Sequence, residues 1–106
     1  MKRYEIRWVS LDPTLGREMT KTRPAVIVSL DVLNRTQETV VVCPLTTSLH
    51  PAWRTRLPVR CGGRAAEVAV DQIRTVSKVR LGTVIDKLRE REAATLRRTL
   101  VEMYGT

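Results

Sequence analysis

Two runs of β-branched and small apolar residues, Ala25-Val26-Ile27-Val28-Ser29 and Thr39-Val40-Val41-Val42-Cys43, restrict this chain to folds built around a buried sheet. The first reads as a buried strand and the second as one covered on both faces. Arg23 stands at the mouth of the first run, directly before Pro24. A residue before proline is pushed to extended geometry, and proline is tolerated at a strand's first position because the ladder bond it cannot donate is not yet needed. The sequence thus places one cation, with a fixed direction, at a strand entrance.

Around this pair the remaining elements are short. Tyr4 to Val9 is rich in strand formers and reads as the first strand, with Trp8 expected to fill the core or a subunit contact rather than to stack on a base. Ser10 to Thr22 is a long connection with the turn formers Asp12-Pro13 and Gly16, and a connection of that length in a small domain is usually functional. It reads as a flap beside Arg23. Asp31 to Arg35 is expected to form a short helical turn capped by Asp31. Arg56 to Val59 reads as an edge strand, Gly62-Gly63 as a turn, Glu67 to Val70 and Ile73 to Val76 as strands, Lys78 to Leu81 as a turn and Thr83 to Ile85 as the last strand. From Arg89 to Tyr104, Ala93, Leu96, Leu100, Met103 and Tyr104 recur at helical spacing, with Glu90 and Glu92 in the first turn and Gly105 at the end. This helix is expected to close the sheet as a lid. Pattern alone gives a mainly β domain with a C-terminal helix.

At 106 residues with 42% hydrophobic content, the chain supports a single core over 1–106, and with no Phe that core must be aliphatic. No run is long enough to span a bilayer and the N-terminus lacks a signal pattern, so a cytoplasmic protein without membrane association is expected. Cys43 and Cys61 have neither metal-ligand nor disulfide-framework spacing, and with His50 the sole histidine a zinc site is not expected. The net charge of +8 is mostly arginine, whose planar fork suits phosphate oxygens, so the expected partner is nucleic acid or an acidic protein segment.

Four blocks in order, Leu11-Asp12-Pro13, Lys21 to Ser29, Pro44-Leu45-Thr46-Thr47-Ser48 and Asp71 to Leu81, make the chain resemble the MazF/PemK/Kid family of toxin ribonucleases. The resemblance implies a small SH3-like barrel of short, strongly bent strands (mainly β, α+β) with the C-terminal helix packed on it. It also implies a type II toxin that cleaves single-stranded mRNA at specific sequences without a metal or other cofactor. The 2′-hydroxyl would be the nucleophile, leaving 2′,3′-cyclic phosphate and 5′-hydroxyl ends. The partners it implies are RNA, a second copy of the chain and an antitoxin with an extended acidic segment.

By the same resemblance Arg23 and Thr46 are the catalytic candidates. Since arginine stays protonated, Arg23 is weighted toward clamping the developing charge rather than carrying protons. Thr47, Ser48 and Gln72 are substrate-binding candidates, and Arg17 and Lys21 candidate RNA contacts in the flap. Glu18 matches a loop glutamate of some relatives and is a candidate base. Asp71 matches a base proposed in one branch, but that branch has an arginine where this chain has Ala69, so Asp71 is also read as a rim-holding residue. His50, although histidine is the usual general base, matches no family position and reads as a loop residue. The family's usual Gly-Asp is replaced by Tyr4-Glu5, and Met19-Thr20 departs from the usual flap. Two other readings compete: a CcdB-like protein that binds gyrase without cutting, whose relatives lack the Arg-Pro and Pro-x-Thr blocks, and an RNA-binding module without catalysis.

Overall fold

The computed structural model describes residues 1–11 and 22–105. In chain order its elements are β1 (Glu5–Ser10), β2 (Thr22–Ile27), α1 (Asp31–Thr36), β3 (Thr39–Thr46), β4 (Arg56–Cys61), β5 (Arg64–Ala69), a 3₁₀ turn (Val70–Gln72), β6 (Arg74–Ser77), a second 3₁₀ turn (Lys78–Arg80), β7 (Leu81–Lys87) and α2 (Glu90–Tyr104). All strand pairs are antiparallel, in the order β4-β5-β3-β2-β1-β7, with β6 also pairing β3. The two ends of this path approach each other, and the Asp86 carboxylate on β7 accepts the Gly62 N–H of the β4–β5 turn at 3.0 Å. The result is the expected small, strongly bent barrel.

The two β-branched runs form its centre because each has something to bury on both sides. Val26, Val28, Cys43 and Leu45 join a core that continues through Leu57, Val59, Val68 and Val70 to Ala93 and Leu96 of α2. On the opposite face Ala25, Ile27, Val40, Val42, Val9 and Val76 form a second cluster. Alternation along β2 and β3 therefore feeds two cores, which is why the sequence shows continuous apolar runs rather than a polar face.

Two prolines lie within these strands at places where a donor is dispensable. β3 extends to Thr46 and contains Pro44, which falls between its ladder with β6, over Thr39–Val42, and its ladder with β5, over Leu45–Thr46. β2 begins earlier than expected, at Thr22, so Pro24 is its third residue rather than its first; its ladder with β3 starts only at Ala25.

Other expectations need correction. Asp31 is the first helical residue of α1, and Leu30 holds the cap position without a side-chain bond. The Asp31 carboxylate instead accepts the Arg3 N–H at 2.7 Å, tying the N-terminus to the helix. On α2, Ala93 and Leu96 are buried and Leu100 and Met103 pack on the core, but Tyr104 is exposed. Glu92 accepts the Arg89 N–H at 2.8 Å, satisfying one of the donors that a helix start leaves open. β4 runs past the expected Val59 to Cys61, because Gly62 and Gly63, with φ of 57° and 81°, make the turn by themselves. Among the described residues, no helix is long and apolar enough to cross a membrane.

Candidate active site

The strand register brings the sequence's separate blocks together. β1 and β2 pair so that Val9 faces Arg23 and Trp8 faces Pro24. β2 pairs β3 with Ala25 opposite Pro44, which carries Arg23 and the end of β3 to the same rim. There the chain forms a cleft of about 620 Å³, lined by Arg23, Thr46, Thr47 and Ser48 together with Trp8, Cys61, Arg64 and Ile85 among others. Its described lining contains two arginines and no carboxylate.

Local hydrogen bonds fix the hydroxyl wall. The Thr46 hydroxyl oxygen accepts the Ser48 N–H at 3.0 Å, so the turn after β3 is closed by a side chain. A hydroxyl has one proton to donate, and accepting this bond leaves the Thr46 proton for a ligand oxygen. Two residues on, the His50 N–H donates to the Glu67 carboxylate at 2.8 Å. Glu67 is 2% exposed and lies opposite Thr46 in the β3–β5 register, so a buried acid anchors the segment that carries Thr47 and Ser48.

Asp71 and Gln72 lie elsewhere, in the 3₁₀ turn after β5, and neither lines the cleft. Asp71 accepts from Arg56 Nε at 2.9 Å and from the Thr55 hydroxyl at 3.1 Å. Partial burial pushes its carboxyl up, but the bonds from Arg56, its own backbone and Thr55 outweigh that and hold it below the ordinary carboxylate value. An acid so held is a poor proton acceptor, and its bonds tie the 3₁₀ turn to Thr55 and Arg56. Arg56 also lies over the Trp53 ring at 4.7 Å, and His50 stacks on Trp53 with centroids 3.9 Å apart. His50 belongs to this stack and not to the cleft. Arg17, Glu18 and Lys21 lie outside the described residues.

The sequence reading put Trp8 in the core or a subunit contact and did not single out Arg64. Trp8 does not fill the core; it is 43% exposed on the cleft wall. Its place was implicit in the pairing of the first two strands, which sets it beside the Arg-Pro step. Arg64 follows the two-glycine turn and begins β5, so recognising a tight hairpin there would have pointed to it.

A family model described as the PemK-like, MazF-like toxin of type II toxin-antitoxin system matches residues 2–104. The chain belongs to that toxin family. Among its relatives, endoribonuclease PemK of Escherichia coli is 37% identical over 95 residues, covering 85% of this toxin and 71% of the relative. Endoribonuclease MazF9 of Mycobacterium tuberculosis is 34% identical over 110 residues, covering 91% and 89%. The barrel of this toxin also matches an endoribonuclease solved in complex with its cognate antitoxin from a mycobacterial species. That match has a TM-score of 0.82 and 22% identity over 99% of this chain and 95% of that one, a likeness of fold.

Proposed function

We propose that this toxin is a sequence-specific, metal-independent endoribonuclease that cuts single-stranded mRNA through its own 2′-hydroxyl, leaving 2′,3′-cyclic phosphate and 5′-hydroxyl ends. The observation that carries the reading is the convergence of Arg23 and Thr46 on one cleft whose described lining has two guanidinium groups and no carboxylate. As the 2′-oxygen attacks, negative charge builds on the phosphoryl oxygens, and rigidly held donors there lower the barrier. Arg23 supplies the charged fork and Thr46 a hydroxyl proton. Glu18 remains the candidate base. That the matched relatives are named endoribonucleases favours cleavage over gyrase binding.

The toxin works as a homodimer, and an extended acidic antitoxin segment silences it by competing for the basic cleft. The deciding experiment incubates purified protein with a long RNA in excess EDTA and maps the cut ends. Cleavage with cyclic phosphate ends is expected. Loss of cutting on chelation overturns the metal-independent mechanism.

A further inference from the structure

Both tryptophans are substantially exposed, Trp8 at 43% and Trp53 at 47%, yet their faces are used differently. The Trp53 ring has His50 stacked on it, with planes 11° apart, and the Arg56 guanidinium over it. Among the described residues, Trp8 has neither an aromatic ring nor a guanidinium on it. It stands on the wall of the cleft that holds Arg23, Arg64 and Thr46.

The backbone beneath Trp8 is well fixed. Its strand pairs β2 at Pro24, and the ladder to β7 shifts register between Arg7 and Val9. Gly82 lies opposite that irregularity, and a Cβ there would sit 3.2 Å from the Trp8 Cβ. The Arg7 guanidinium donates to the Gly82 carbonyl at 3.0 Å and pairs with Glu5 at 3.0 Å, tying the two strands together at this point. A glycine thus lets β7 approach closely, and the indole projects from a pinned strand.

We infer that Trp8 is a stacking platform for one nucleobase of the bound strand, with Arg23 and Arg64 beside it taking phosphate oxygens. An exposed indole in a cleft that two cations also line is the combination that single-stranded nucleic acid fits, since its bases offer π-faces and its backbone offers charge. An acidic peptide would satisfy the arginines but leave the ring face unused. This inference deepens the endoribonuclease reading and rests on it, because it gives the same cleft a base-binding position next to the scissile phosphate.

The test uses Trp8 fluorescence in a Trp53→Phe variant, titrated with a 2′-O-methyl RNA oligonucleotide of mixed sequence that cannot be cut. Quenching is expected with the oligonucleotide, and little with an abasic strand of the same length or with an acidic peptide. Trp8→Leu should weaken oligonucleotide binding by roughly tenfold and Trp8→Phe much less, since stacking needs an aromatic face and both variants fill space. Equal quenching by the abasic strand, or equal affinity of the Leu and Phe variants, overturns the platform. So does quenching that follows dilution without oligonucleotide, which would assign Trp8 to a subunit contact. If quenching occurs but the EDTA assay shows no cleavage, the subsite stands and the endoribonuclease reading fails. If RNA is cut without quenching, the reverse holds.

Discussion

A permanently charged guanidinium on an extended, proline-flanked strand offers two parallel donors along one direction, which a lysine ammonium cannot reproduce. Arg23→Ala and Arg23→Lys should therefore both fold and still bind RNA, since the other arginines supply most phosphate contacts. Single-turnover cleavage should fall by roughly a hundredfold or more in each, the size of losing one oxyanion donor. Thr46→Ala should lose less, as a neutral hydroxyl is the weaker donor. Near-normal cleavage by the lysine variant would show that charge alone suffices. Asp71 gives the opposite pattern: its carboxylate pairs with Arg56, whose side chain is only 7% exposed. Asp71→Asn should cost about 1–3 kcal/mol in urea unfolding while leaving the cleavage rate of folded protein intact. Because the folded-state carboxyl sits below its ordinary value, its contribution is present above that value and lost as pH falls through the depressed one. Acid should thus destabilise wild type more steeply than Asp71→Asn, and identical acid profiles would show that the pair does not contribute.

The turn after β3 is only as well placed as its anchors. Its described anchors are the Thr46 hydroxyl and the Glu67 carboxylate, which bond to backbone N–H groups two and four residues beyond the last residue of the strand. Glu67→Ala removes the second, so the Thr47-Ser48 segment should lose its fixed position and kcat should drop by about ten- to a hundredfold with a smaller change in KM. Glu67→Gln keeps an acceptor oxygen and should recover most of the rate. A loss of stability without a rate loss per folded molecule, or a failure of Gln to rescue, would make Glu67 merely a packing residue. Across the cleft, the β4–β5 hairpin depends on two consecutive positive φ values, and its glycines supply them.

For the molecule as a whole, the two thiols pack on the same core but at different depths. Cys43 is fully buried, and burial together with the charge of Asp71 pushes its thiol up to about 12. Cys61 is partly exposed in the cleft, its thiol raised by burial and by Asp86 and eased by Arg89. A maleimide at mildly alkaline pH should label one thiol per native chain, and an uncleavable RNA should slow that labelling. Two equally reactive thiols would mean that the core opens. The barrel is small and basic, so a groove built by two copies is expected, and sedimentation at micromolar concentration should show a dimer; only monomer would count against it. RNA affinity should fall linearly in log–log plots against salt, because the gain from releasing a fixed number of condensed counterions shrinks as bulk salt rises.

The buried strands are legible in the residue pattern, because runs such as Val40-Val41-Val42-Cys43 have no polar face to leave in water, and so is the helix, whose Ala93, Leu96, Leu100 and Met103 recur at helical spacing. The family resemblance singled out Arg23 and Thr46, since Arg-Pro and Pro-x-Thr are contiguous motifs that need no knowledge of pairing. Whatever depends on register is settled only once the strands are paired. A shift by one residue turns a strand's side chains to the opposite face, so only the observed pairing takes Trp8 out of the core and into the cleft. The same holds for Asp71, which lies near Arg56 only because β4 and β5 form a hairpin, and for Glu67, whose buried carboxylate finds its donor in a loop 17 residues away. Strand identity is a local property of residue size and branching, whereas the contents of a cleft depend on which distant strands meet, and that is set by closing the barrel.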